Sequence, residues 1–151
     1  MSDREQIYDL MVRYGRANDT HDTDLVRTCF TDDIVAEYEP YTGPLQGWDV
    51  FLRSWVDGLE LIDCAHQFTN FTFELDGDEG SYSCLLIAQH WPRGAGVSAD
   101  VPLYTVGARY DNRVRRTEEG WRITDLHLTV LWVSGDPQVF DHIHRGASRP
   151  K

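Results

Sequence analysis

The apolar residues of this chain keep a helical period in its first part and a strand period in its second, which leaves few ways to fold it. Ile7, Leu10, Met11 and Tyr14 recur every three or four positions, as do Leu25, Val26, Cys29 and Phe30. Trp48, Phe51, Leu52, Trp55, Val56 and Leu59 do the same, so three helices are expected, each burying one face. Between the second and third, Ile34, Ala36 and Tyr38 alternate with Val35, Glu37 and Glu39, the signature of a strand. The remainder reads as strands near 64–75, 80–91, 102–115 and 121–133, separated by DGDEG, a Gly/Ser loop at 93–100 and TEEG. Helices followed by a long meander predict an α+β domain whose helices pack on one face of a single curved sheet.

Local signals sharpen this outline. Ser2 stands three residues before Glu5, a capping box that starts the first helix, and NDTHDTD at 18–24 supplies turn and cap residues between the first two helices. Residues 40–47 read as a Pro/Gly-punctuated connection, and 135–151 as a mobile tail behind a domain spanning 1–134. His142 and His144 fall in that tail, where a solvated segment is expected rather than a metal pair.

Charge removes several partners. Fourteen Lys+Arg against 25 Asp+Glu leave −11 over 151 residues, whereas nucleic acid or an anionic membrane needs a basic stripe. RVRR at 113–116 is too short to supply one, although Arg109 or Arg113 could face a cavity. Cys29, Cys64 and Cys84 lack CxxC spacing and are expected to be reduced and buried. The N-terminus has no basic-then-apolar leader and no run is long enough to span a bilayer, so a cytoplasmic location is expected. GxSxG, Walker, GxGxxG and HExxH patterns are missing, so no cofactor and no metal are expected.

The remaining chemistry rests on imidazoles, a carboxylate and phenols. His66, in CAHQFTN, shares one side of its strand with Phe68 and Asn70, while Phe71, Phe73 and Leu75 require a bulge or a change of buried face. An inward histidine needs a hydrogen-bonding partner, and Asp19, at the end of the first helix, could reach it. A carboxylate holding one ring nitrogen leaves the other as a base and stabilises the imidazolium that forms. Asp19 could equally cap the helix pair with Asp22 and Asp24. His90 lies on the apolar side of its strand with Tyr82, Cys84, Leu86 and Ala88, and Tyr14 and Tyr38 add inward phenols able to meet a developing enolate. Trp48, Phe51, Trp55 and Phe68 would wall an apolar pocket around these groups.

The order IYDLMVRYGRANDTHDTDLVRTCFTDD, PLQGWDVF, AHQFTN and GARYDNRVRRTEEGWRI resembles the nuclear transport factor 2-like superfamily, in its SnoaL-like and scytalone dehydratase-like branch, over residues 4–134. The resemblance implies a cone, a cystatin-like α+β barrel, in which a curved, mostly antiparallel sheet holds three helices on its concave face. It also implies a pocket inside, and assembly as a homodimer or homotrimer through the outer sheet face, where Leu85, Ile87, Tyr104 and Val106 are expected. Scytalone dehydratases and hexachlorocyclohexane dehydrochlorinases use an aspartate and a histidine that match Asp19 and His66 here. A second histidine and a first-strand tyrosine of the dehydratases match His90 and Tyr38. The tyrosine that precedes their aspartate is Asn18 here, and their Ser/Asn pair near the last strand has Thr129 as a loose counterpart. Steroid isomerases of the superfamily carry a carboxylate where this chain has Tyr38, and an epoxide hydrolase would need an Asp-Arg-Asp set that the chain lacks.

The expected activity is therefore a cofactor-independent lyase, a dehydratase acting on a cyclic, largely apolar substrate such as a polyketide- or terpenoid-derived ring. Asp19, His66, His90 and Tyr38 would be catalytic; Tyr14, Trp48, Phe51, Trp55, Phe68, Asn70, Leu86 and Thr129 would bind substrate. A cyclase or isomerase using the same base, or a non-catalytic binding module, are the alternatives.

Overall fold

A computed structural model describes residues 1–141. Three helices, α1 (Asp3–Thr20), α2 (Thr23–Arg27) and α3 (Trp48–Leu59), accompany six strands. These are β1 (Phe30–Glu39), β2 (Thr42–Gln46), β3 (Ile62–Asp76), β4 (Glu79–Pro92), β5 (Tyr104–Thr117) and β6 (Gly120–Gly135). A 3₁₀ turn, Pro137–Phe140, follows. The strands form one sheet in the order β2-β1-β6-β5-β4-β3, antiparallel throughout except for β1 beside β6. No helix among the described residues is long and apolar enough to cross a membrane.

Local chemistry sets the ends of α1. The Ser2 hydroxyl accepts from the Glu5 amide at 3.3 Å while Glu5 accepts from the Ser2 amide at 2.7 Å, forming the expected capping box. At the other end His21 adopts φ 54°, which turns the chain out of the helix just after Asp19. The buried residues of α1 include Ile7, Leu10, Met11, Tyr14 and Asn18, a single stripe laid against the sheet. Gly15 permits that approach: a Cβ there would stand 2.5 Å from the Phe68 ring and 3.5 Å from Cβ of His66.

Alternation along β4 identifies the concave face. Leu86, Ala88 and His90 are at most 7% exposed, whereas Leu85 and Ile87 between them are 37% and 45% exposed. The sheet register then corrects one expectation. Tyr104 pairs with His90 and Val106 with Ala88, and directly opposed residues share a face. Tyr104 and Val106 therefore belong to the inner face, and the outer apolar residues beside Leu85 and Ile87 include Trp132, whose ring covers Gly107 so closely that a Cβ would meet it at 2.0 Å.

One further departure, and one expectation met, concern irregular backbone. Thr42–Gln46 pairs with β1 as an edge strand, and an edge tolerates Pro44 because one side of its backbone needs no partner. The bulge expected in β3 lies between Thr69 and Thr72, with Asn70 at φ 57°. The three cysteines are free and buried, as expected.

Candidate active site

The concave sheet, α1 and α3 enclose a cavity of about 770 Å³, within the size range of small-molecule sites. Asp19, delivered by the last turn of α1, meets β3 at its edge. Its Oδ1 accepts from His66 Nδ1 at 2.7 Å, and its Oδ2 accepts from the backbone amide of the same residue at 3.2 Å. Both carboxylate oxygens are engaged by the residue they orient, so Asp19 is more than a helix cap. With its proton on Nδ1, His66 keeps a lone pair on Nε2 and lines the cavity.

His90 stands beside it, the two rings nearly perpendicular with centroids 6.0 Å apart. His90 Nδ1 donates to the Tyr104 carbonyl oxygen at 3.0 Å, leaving Nε2 as an acceptor. Burial pushes His90 down to about 4, against an opposing pull from the Tyr104 carbonyl, and the neighbouring His66 lowers it further. His90 is therefore neutral near pH 7 and serves as an acceptor, not as an acid.

The phenols occupy another part of the wall. Tyr14 and Tyr38 oxygens are 2.9 Å apart, and burial raises the pKa of both, so both remain protonated donors. One hydrogen is spent between them, which leaves one for a ligand. The buried Tyr110 ring packs edge-on against Tyr14 at 6.3 Å. Asn18 accepts from the Trp55 indole at 2.9 Å and donates to the Tyr14 carbonyl at 2.8 Å. It ties α3 to α1 one residue before Asp19.

Of the residues expected at the site, Tyr14, Tyr38, Phe51, Trp55, His66, Leu86 and His90 line the cavity. Four do not. Trp48, in the first turn of α3, packs on Phe30 and Phe51 with the Arg27 guanidinium 4.5 Å from its ring, beyond the end of the cavity lined by Phe51 and Trp55. Phe68 fills the gap between Gly15 and Tyr110, behind His66. Asn70 is exposed in the bulge. Thr129 alternates with the cavity residues Leu128 and Val130 and so points to the outer face. Arg109 and Arg113 are exposed, and Arg109 pairs with Asp111 at 2.9 Å, so neither faces the cavity.

Other wall residues carried no readable signal. Pro137 and Phe140 line the cavity from a segment expected to be tail, and the Phe140 ring lies 4.7 Å from His90 and 5.5 Å from Tyr104. A phenylalanine near a chain end gives no periodicity to read. His142 and His144 lie outside the described residues.

The model of the SnoaL-like domain matches residues 1–127. The chain belongs to the SnoaL-like domain family. This SnoaL-like domain is 27% identical over 143 residues to the terrestric acid biosynthesis cluster protein E of Penicillium crustosum, spanning 93% of this chain and 90% of that protein. A solved Novosphingobium aromaticivorans protein, provisionally assigned as an aromatic ring hydroxylase, is 31% identical with a TM-score of 0.79, over 91% of this chain and 95% of that one. A provisionally assigned scytalone dehydratase from the same organism shares the fold at 16% identity, with a TM-score of 0.76 over 88% and 87% of the two chains. The expected nuclear transport factor 2-like cone, with a six-stranded, mostly antiparallel sheet around three helices, is the fold observed.

Proposed function

We propose that this SnoaL-like domain is a cofactor-independent lyase that dehydrates a cyclic, largely apolar β-hydroxycarbonyl compound. The observation that carries the reading is the 2.7 Å Asp19–His66 contact at the wall of an aromatic cavity. His66 Nε2 takes the proton from the carbon next to the carbonyl, Asp19 stabilises the imidazolium, and the C–H electron pair moves into an enolate. The free hydrogen of the Tyr14–Tyr38 pair meets the enolate oxygen. The enolate then expels the β-hydroxyl, which leaves as water with the proton returned by His66. His90, neutral, accepts from that hydroxyl and orients it before it departs. This narrows the part expected of His90, which donates no proton.

The aromatic ring named for the Novosphingobium relative supports a ring compound as substrate, and the biosynthesis cluster named for the Penicillium relative supports a small-molecule one. His66→Ala and Asp19→Asn are expected to lower turnover by roughly 10²–10⁴-fold while leaving the circular dichroism spectrum unchanged. Full turnover in His66→Ala on a substrate the wild type consumes would overturn the base. Because His90 offers no separate acid for a leaving group, a rearrangement run by the same base is the second reading. Mass spectrometry of the product separates them, loss of one water marking elimination and unchanged mass marking cyclisation or isomerisation.

A further inference from the structure

Asp19 has a second neighbour besides the imidazole. Cys64 lies two residues before His66, on the same side of β3, and its thiol donates to the Asn18 carbonyl oxygen at 3.5 Å. A carboxylate oxygen of Asp19, Sγ of Cys64 and a ring nitrogen of His66 all lie within 4.8 Å of one another, and Nδ1 is the nitrogen that faces Asp19, at 2.7 Å. A tetrahedral Zn²⁺ with bonds of about 2.0–2.3 Å holds its ligands about 3.4–3.8 Å apart, so the three donors need move by only about an ångström to share one ion. Thiolate and imidazole favour a soft or borderline cation and disfavour Mg²⁺ and Ca²⁺. Asp19 is 30% exposed, which gives such an ion a way in, and a net charge of −11 concentrates cations around the molecule.

We propose that Asp19, Cys64 and His66 form an inhibitory site for a thiophilic divalent cation, with Zn²⁺ the foremost candidate. Binding forms one bond each to sulfur, nitrogen and oxygen, and the thiol proton leaves to solvent. The imidazole stays neutral, so occupation of Nδ1 by the ion moves its hydrogen to Nε2. That removes the lone pair with which His66 would act as a base. Inhibition rests on the function proposed above, whereas binding does not.

The test uses the full chain, stripped with a chelator and titrated with Zn²⁺ alone in a calorimeter and in a weakly buffered indicator solution. One ion per chain, micromolar or tighter, with about one proton released per ion, is the expected result. Cd²⁺ in place of Zn²⁺ is expected to give a thiolate charge-transfer absorption. Cys64→Ser, a one-atom change, should abolish that band and weaken Zn²⁺ at least about tenfold, while Cys29→Ser and Cys84→Ser leave both unchanged. No uptake at millimolar Zn²⁺, or a Cd²⁺ band that survives in Cys64→Ser, would overturn the site while leaving the imidazole base standing. Zn²⁺ bound with turnover undiminished would overturn the inhibitory role together with that base.

Discussion

Asp19 acts on His66 twice, through the ring and through the backbone amide, so the carboxylate is fixed by the strand it serves. Its carboxamide analogue keeps the shape and loses the charge that stabilises imidazolium, which is why Asp19→Asn is the informative change. In the proposed mechanism the two hydrogen-bonded phenols share a single role as donor to the oxyanion. Tyr14→Phe or Tyr38→Phe leaves the partner to donate, while the double variant should lose roughly 10²–10³-fold in turnover, read by steady-state kinetics. His90 makes a different claim, on stability. Its folded value is about 4 and its ordinary value 6.5, so between these the unfolded chain binds more protons. The stability at stake is complete above 6.5 and is lost as pH falls towards 4, by up to about 3 kcal/mol. Urea unfolding across that interval should show the loss in the wild type and a flatter profile in His90→Gln. The inward orientation of His66, His90 and the tyrosines of the first helix and strand is legible because position along an amphipathic element says which way a side chain points, whereas Asp19, beyond the buried face of α1, reads equally as a cap or as the partner of His66. The orientation of Tyr104 is not legible, because it follows from which residue of β4 stands opposite, and register is a property of two strands.

At the scale of elements, helix periods and long alternating strands could be read directly, whereas an edge strand containing proline and a 3₁₀ turn near the chain end could not. The close packing of α1 on β3 shows the same limit, since nothing about Gly15 in the sequence announces that Phe68 lies against it. Gly15→Ala should force the Phe68 ring aside and cost about 1–3 kcal/mol, measured by urea unfolding, with turnover falling because His66 shares that contact. The 3₁₀ turn has an equally specific expected effect. Phe140 shields His90, so Phe140→Ala should let water reach the imidazole and raise its pKa from about 4 towards 6.5, measured by titrating its ring proton in NMR spectra.

For the whole molecule, the charge of −11 means self-repulsion in the compact state. Moderate NaCl should therefore raise the melting temperature by a few degrees over its value in dilute buffer, measured by scanning calorimetry. The pairing of β1 with β6 has a consequence for synthesis on the ribosome. Phe30–Glu39 emerges early, yet one of its two neighbours in the sheet is Gly120–Gly135. Until those late residues clear the exit tunnel, β1 can hold only the short β2, and the nascent chain carries an open edge and an uncovered aromatic interior. The binding chamber cannot exist until β6, some eighty residues beyond β1, has been translated.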